Sequence, residues 1–118
     1  MKIKTTELTR ISFAPYGQVL MSESREPEYN SWAGRLDSHR ESARLNITYM
    51  SMRPSCYPAM MGELERHPYS NQMFVPLEGT CHLVVVCHSL PEGKPDLNTL
   101  RAFHATGAQT VIYAANVW

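Results

Sequence analysis

Glu65 and His67 stand one residue apart, and Gln72 follows five residues later. On an extended backbone, residues two apart point to the same side, so Glu65 and His67 share a face and Arg66 takes the other. An imidazole titrates near neutral pH, which suits it to carrying protons in either direction. A carboxylate on the same face can orient that ring or act as a base itself. Gln72 opens the next strand-forming run, and its amide offers both a donor and an acceptor. These spacings predict a carboxylate, an imidazole and an amide converging on one small cavity.

Other polar residues have plainer readings. His82, His88 and His104 sit on or beside strand-like runs and read as satisfied core or edge groups. His39 lies in a charged stretch and reads as solvated. Cys81 and Cys87 share strand parity, but buried inert thiols are the expectation. Met60, Met61 and Trp32 read as packing residues; Tyr113 could reach a ligand, with a place in a barrel wall the plainer reading.

The elements that must position these groups are mostly short strands. Leu8 to Phe13, followed by Ala14-Pro15-Tyr16-Gly17, predicts a short helix ended by Pro and Gly. Strands are predicted over Gln18–Met21, Ser42–Arg53, Gln72–Leu77, Thr80–His88, Leu100–Ala105 and Thr110–Ala114. Leu83-Val84-Val85-Val86 is typical of a strand buried on both sides. Ser22–Gly34 and Pro91–Asn98 read as loops, with Asp96 capping one short turn. Glu78-Gly79 turns between the third and fourth of these strands. Several short strands with Gly and Pro punctuation and at most one short helix point to an all-β sandwich or barrel. A barrel ending at Trp118, directly after a strand-like stretch, would leave apolar strand surface open. The expectation is an incomplete barrel, or an edge paired with a partner.

Length and charge bound the function classes. The 118 residues suit a single domain spanning 1–118, and 43% hydrophobic with 19% charged residues is an ordinary globular balance. Eleven basic residues offset eleven acidic ones, so no global field recruits nucleic acid or an anionic membrane. Leu83–Cys87 is too short an apolar run to cross a bilayer. No secretory signal is evident behind Met1-Lys2-Ile3, and the three cysteines lack a CxxC pair. They read as reduced, mostly buried thiols of a cytoplasmic protein. Without such a signal, the sequon Asn46-Ile47-Thr48 reads as chance.

Glu65-Arg66-His67, Gln72 and Gly79 are spaced like the first motif of the cupin family, a group of metal-binding β-barrels. Glu65 stands at that motif's first histidine, His67 at its second, Gln72 at its glutamate and Gly79 at its glycine. Two of the three ligand types differ, and a neutral Gln72 is a poor ligand for most divalent metals. The wording is more specific still. Glu63-Leu64-Glu65-Arg66-His67-Pro68, Phe74-Val75-Pro76-Leu77, Lys94-Pro95-Asp96-Leu97-Asn98-Thr99-Leu100-Arg101-Ala102-Phe103 and the opening Phe13-Ala14-Pro15-Tyr16-Gly17-Gln18-Val19 together resemble the ureidoglycolate lyase family. Departures from the family pattern are Thr110-Val111-Ile112-Tyr113, where Gly-Val-Asn-Tyr is usual, and the lack of a His-His-Pro segment beyond Trp118.

The resemblance implies a cupin-like double-stranded β-helix or jelly-roll barrel, incomplete at its C-terminal strands, with a short N-terminal helix. It implies cleavage of ureidoglycolate to glyoxylate and urea in allantoin (purine) degradation. Glu65 and His67 would be the catalytic residues, and Gln72, Arg53 and Arg101 would bind the substrate. Arg53 precedes Pro54 and also fits a structural role; Arg101 suits a carboxylate clamp and a salt bridge equally. Arg66 is expected in a structural ion pair or at an interface. No cofactor is expected to be required, with at most weak divalent-metal binding. The expected partners are the small-molecule substrate and a second copy in a homodimer, with no nucleic acid and no membrane. A degenerate or truncated small-molecule binder is the alternative, and a metal-dependent cupin oxygenase or isomerase comes third.

Overall fold

The computed structural model describes residues 1–22 and 40–118. In chain order it contains β1 (Thr5–Glu7), α1 (Arg10–Phe13), β2 (Gly17–Met21), β3 (Gln72–Phe74), β4 (His82–Val86), a 3-10 turn (Leu97–Thr99), β5 (Arg101–Ala105) and β6 (Gln109–Tyr113). The single α-helix among the described residues is one turn long. Thr9 caps it: its hydroxyl accepts the Ser12 N–H at 3.0 Å, and the Ser12 hydroxyl accepts the Thr9 N–H at 3.0 Å. That reciprocal box satisfies two donors that a short helix otherwise leaves open. Asp96 caps the 3-10 turn in the same manner, accepting from Asn98 N–H at 3.0 Å.

The strands form two three-stranded sheets, ordered β1-β5-β4 and β2-β6-β3. Every neighbouring pair is antiparallel except β1 with β5, which is parallel. In the second sheet, Gly17, Val19 and Met21 lie opposite Tyr113, Val111 and Gln109, while Gln72 and Phe74 lie opposite Tyr113 and Val111. Directly opposed residues share a face of the sheet, so these eight side-chain positions line one surface. Val19 and Val111 on it are core residues, together with Leu8, Phe13, Tyr16, Val84, Val86, Phe103 and Ala105. The two sheets therefore share one apolar interior, and the fold is all-β.

Phe13 sits between them. Its ring meets Phe103 of β5 at 5.8 Å and Tyr113 of β6 at 5.9 Å, both edge-on, and Tyr16 at 6.0 Å. Close approach matters equally at Gly17. A methyl group there would fall on the carbonyl oxygen of Ile112 in the adjacent strand, so the β2–β6 pairing needs a residue without a side chain.

Three expectations are corrected. Ser42–Arg53 is not a strand: the segment carries no secondary structure and is largely exposed, with Ile47 at 85%. Its apolar residues occupy both parities (Leu45, Ile47 and Tyr49 on one, Met50 and Met52 on the other). No described strand pairs with it, so its backbone gains no ladder. The third and fourth predicted strands do not pair across Glu78-Gly79 but join different sheets. Pro76 has no N–H to donate, and pairing ends at Phe74. Among the thiols only Cys87 is buried; Cys56 and Cys81 are exposed. Strand β1 went unpredicted because Thr5-Thr6-Glu7 carries no apolar pattern. Of the predicted loop Ser22–Gly34, only Ser22 lies within the described residues, and His39 and Trp32 also lie outside them.

The chain end is tied back to the body. Cys87 and Trp118 exchange both backbone hydrogen bonds at 3.0 Å. Asn116, with φ 69°, donates its N–H to the His67 carbonyl at 2.9 Å and accepts from Arg66 Nη1 through its side-chain oxygen at 3.0 Å. The Arg66 guanidinium also lies 5.0 Å from the Trp118 ring centroid.

Gly17→Ala is expected to destabilise the chain by about 1–3 kcal/mol or more through overpacking, read as a lower urea midpoint. Arg66→Ala is expected to cost about 1 kcal/mol from the lost amide bond and ring contact, with Arg66→Lys recovering only part of it. A third prediction concerns pH. Burial pushes the Tyr113 phenol up to about 12, whereas an unfolded tyrosine ionises near pH 10. Between those values the unfolded state has lost a proton that the folded state keeps. The contribution of Tyr113 is thus full below about pH 10 and falls by about 2–3 kcal/mol as pH rises through the window. Urea midpoints of wild type and Tyr113→Phe, compared at about pH 9 and about pH 11.5, should show the wild type losing more.

Candidate active site

The segment before β3 alternates as an extended chain would. Glu65 Oε1 lies 2.8 Å from His67 Nε2, while Arg66 between them turns toward Ser89, Asn116 and Trp118. The pair faces solvent, with 78% of the Glu65 side chain and 39% of the His67 side chain exposed. A carboxylate at this distance fixes the imidazole's orientation. With Nε2 directed at Glu65, Nδ1 is the nitrogen left to meet another group.

Gln72 begins β3 and occupies the interior face, directly opposite Tyr113. Both it and His67 are anchored on the end of β6. Gln72 pairs with Tyr113, and the His67 carbonyl takes the Asn116 N–H three residues farther on. Gln72 makes no hydrogen bond to Glu65 or His67 among the described residues. The structure thus joins the acid and the imidazole directly at the solvent-facing side, and sets the amide on the interior face of β3.

The two candidate arginines are carried by other segments. Arg53 sits in the exposed segment without secondary structure. Arg101 opens β5 and spends donors on the Leu100 carbonyl at 2.9 Å and the Asn98 carbonyl at 3.4 Å. Neither shares a hydrogen bond or ion pair with Glu65, His67 or Gln72 among the described residues. Arg66 is structural as expected, although its partners are an amide, a hydroxyl and an indole rather than a carboxylate.

The remaining titratable groups fall into distinct settings. His82 Nε2 is buried without a hydrogen-bond partner among the described residues. Desolvation, with a smaller effect from His104, lowers its pKa and favours the neutral ring. His88 stacks on Tyr16 at 4.7 Å, and His104 is exposed. Burial, then Asp96, pushes the Cys87 thiol up, leaving it inert. No three His, Cys, Asp or Glu residues come together as a metal-binding group among the described residues. No helix among them is long and apolar enough to cross a membrane.

Asn116 was not anticipated from the sequence, and for Tyr113, named there as able to reach a ligand, its place opposite Gln72 was not. Asn116 clasps both Arg66 and the His67 carbonyl; an asparagine just past a strand-like run, where left-handed backbone is tolerated, was its available signal. Tyr113 shares the interior parity of Val111 and so stands beside Gln72. That pairing depends on register, which no local pattern reveals.

The sequence profile described as ureidoglycolate lyase matches residues 1–118. The protein named ureidoglycolate lyase in Salmonella typhimurium (strain LT2) is 36% identical over 126 aligned residues, covering 100% of this chain and 77% of that relative. Proteins of the same name in Salmonella paratyphi B and Salmonella newport are each 35% identical, with the same coverage. The match over residues 1–118 and the identity to these relatives place this chain in the ureidoglycolate lyase family.

Proposed function

We propose that this protein is a ureidoglycolate lyase, splitting ureidoglycolate into glyoxylate and urea. The observation that carries this reading is the kinship, along the whole of this chain, with proteins of that name. The hydrogen-bonded Glu65–His67 pair supports it, since the reaction is a proton relay. The substrate's central carbon bears a hydroxyl, a urea nitrogen and a carboxylate. A base removes the hydroxyl proton as the C–O bond becomes a carbonyl. The C–N bond breaks with its electron pair leaving on nitrogen, and an acid delivers a proton there. His67 takes the first proton and returns one to the urea, while Glu65 holds the ring and stabilises its charged form. Gln72 holds the ureido group, and Arg53 and Arg101 are assigned to the substrate carboxylate.

The relay is balanced in electrons, so no redox cofactor enters it, and any divalent cation would bind weakly. The chain is assigned to one cupin-like domain in a cytoplasmic homodimer acting in allantoin breakdown. The dimer is supported by the apolar side chains left exposed between Leu45 and Met61, among them Ile47, Tyr49, Met52 and Met60.

Purified protein given ureidoglycolate is expected to release glyoxylate and urea in equal amounts, with or without chelator. His67→Ala should lower turnover by about a hundredfold or more with an unchanged circular dichroism spectrum. A folded wild-type chain that releases neither product would overturn the assignment and leave a non-catalytic binder. Activity lost on chelation would transfer the chemistry to a metal.

A further inference from the structure

We infer that Tyr113 and Gln72 together form the subsite for the substrate's urea group, with Tyr113 a binding residue of the same site. The inference rests on the lyase reading and deepens it. The two residues are directly opposed across β3 and β6, so their side chains leave the same interior face as neighbours. The Tyr113 ring is wedged edge-on between Phe13 at 5.9 Å and Phe74 at 5.7 Å. That packing fixes where the hydroxyl points.

A tyrosine placed in a wall purely for packing normally finds its hydroxyl a partner. Tyr16, in the same aromatic cluster, does so: its hydroxyl donates to the Thr99 carbonyl at 2.9 Å. The Tyr113 hydroxyl and the Gln72 amide make no hydrogen bond among the described residues. Two neighbouring polar groups, held on an apolar wall and left uncommitted, are what a ligand with matching groups requires. Burial keeps the phenol protonated, so it can donate. The Gln72 amide both donates and accepts. A urea group fits this pair: its carbonyl oxygen accepts from the Tyr113 hydroxyl and the Gln72 NH2, and its own NH2 donates to Gln72 Oε1. A carboxylate would meet the Gln72 oxygen as a second acceptor, which assigns the subsite to the ureido end rather than the acid end.

The test uses N-carbamoylglycine, which keeps the ureido and carboxylate groups but lacks the scissile hydroxyl, and N-acetylglycine, in which a methyl replaces the terminal NH2. By calorimetry the wild-type chain should bind N-carbamoylglycine about tenfold more tightly than N-acetylglycine. Tyr113→Phe should weaken N-carbamoylglycine binding by about tenfold, and Gln72→Met should abolish the preference between the two ligands. With ureidoglycolate, Tyr113→Phe should raise KM by a similar factor and leave kcat within about threefold. Gln72→Met carries the test alone if Tyr113→Phe does not fold. Unchanged affinity in the variants, absence of the preference, or no wild-type binding of N-carbamoylglycine would overturn the inference. Glyoxylate release with unaltered variant binding sinks the subsite and spares the lyase reading. Ligand preference with no glyoxylate release sinks the lyase reading and spares the subsite.

Discussion

Phe13 is the contact on which the interior depends. It is fully buried, and its ring faces Phe103 in one sheet and Tyr113 in the other. Neither three-stranded sheet would be stable alone, because each exposes an apolar face that must be covered. A one-turn helix is a fragile carrier for so central a ring, since isolated helices of that length do not persist in water. The Thr9–Ser12 capping box and the burial of Leu8 just before it hold the turn in place. Helix, cap and both sheets are thus interdependent through one aromatic side chain.

The same ring sets the geometry of the site. Tyr113 is oriented by Phe13 on one side and Phe74 on the other, and Tyr113 is the residue opposite Gln72. Three residues beyond, Asn116 fastens the carbonyl of His67 and the side chain of Arg66. The end of β6 therefore acts as a rail on which two separate stretches of chain are mounted. A rigid strand positions side chains more accurately than a loop does. The Glu65–His67 pair lies at the solvent edge of this rail. Gln72 and Tyr113, the proposed ureido subsite, lie inward, where displaced water strengthens a hydrogen bond.

What could be read from the sequence divides along physical lines. Local chemistry was legible: the Pro and Gly after Phe13 ended the helix, Asp96 capped its turn, and the β-branched run around Val84 formed a strand. The shared side of Glu65 and His67 followed from a two-residue spacing alone. Pairing across the chain was not legible. Thr5–Glu7 has no apolar pattern, and its strand exists only because β5 offers a parallel edge. Gln72–Leu77 and Thr80–His88 looked like one hairpin, yet each pairs with a strand fifteen or more residues away. Conversely, Ser42–Arg53 had strand-forming residues but no partner strand among the described residues. Strand formation is a property of two segments, so a pattern in one of them is necessary information at best.

The exposed stretch from Leu45 to Met61 follows from the same rule. Its side chains are large and apolar on both parities, and Met60 is almost wholly exposed at 99%. Isolated apolar residues on a surface are ordinary, but a continuous series is not. Arg53, assigned to the substrate carboxylate, belongs to this stretch. Any surface that packs against it also fixes the position of Arg53. Under the proposed assignment, cover for the apolar series and placement of Arg53 at the substrate carboxylate would therefore occur in one event. The ureido end does not share that dependence, because Gln72 and Tyr113 are already set by β3, β6 and Phe13. The two ends of the proposed site are consequently held by different forces: strand pairing and aromatic packing at one, and association of apolar surface at the other.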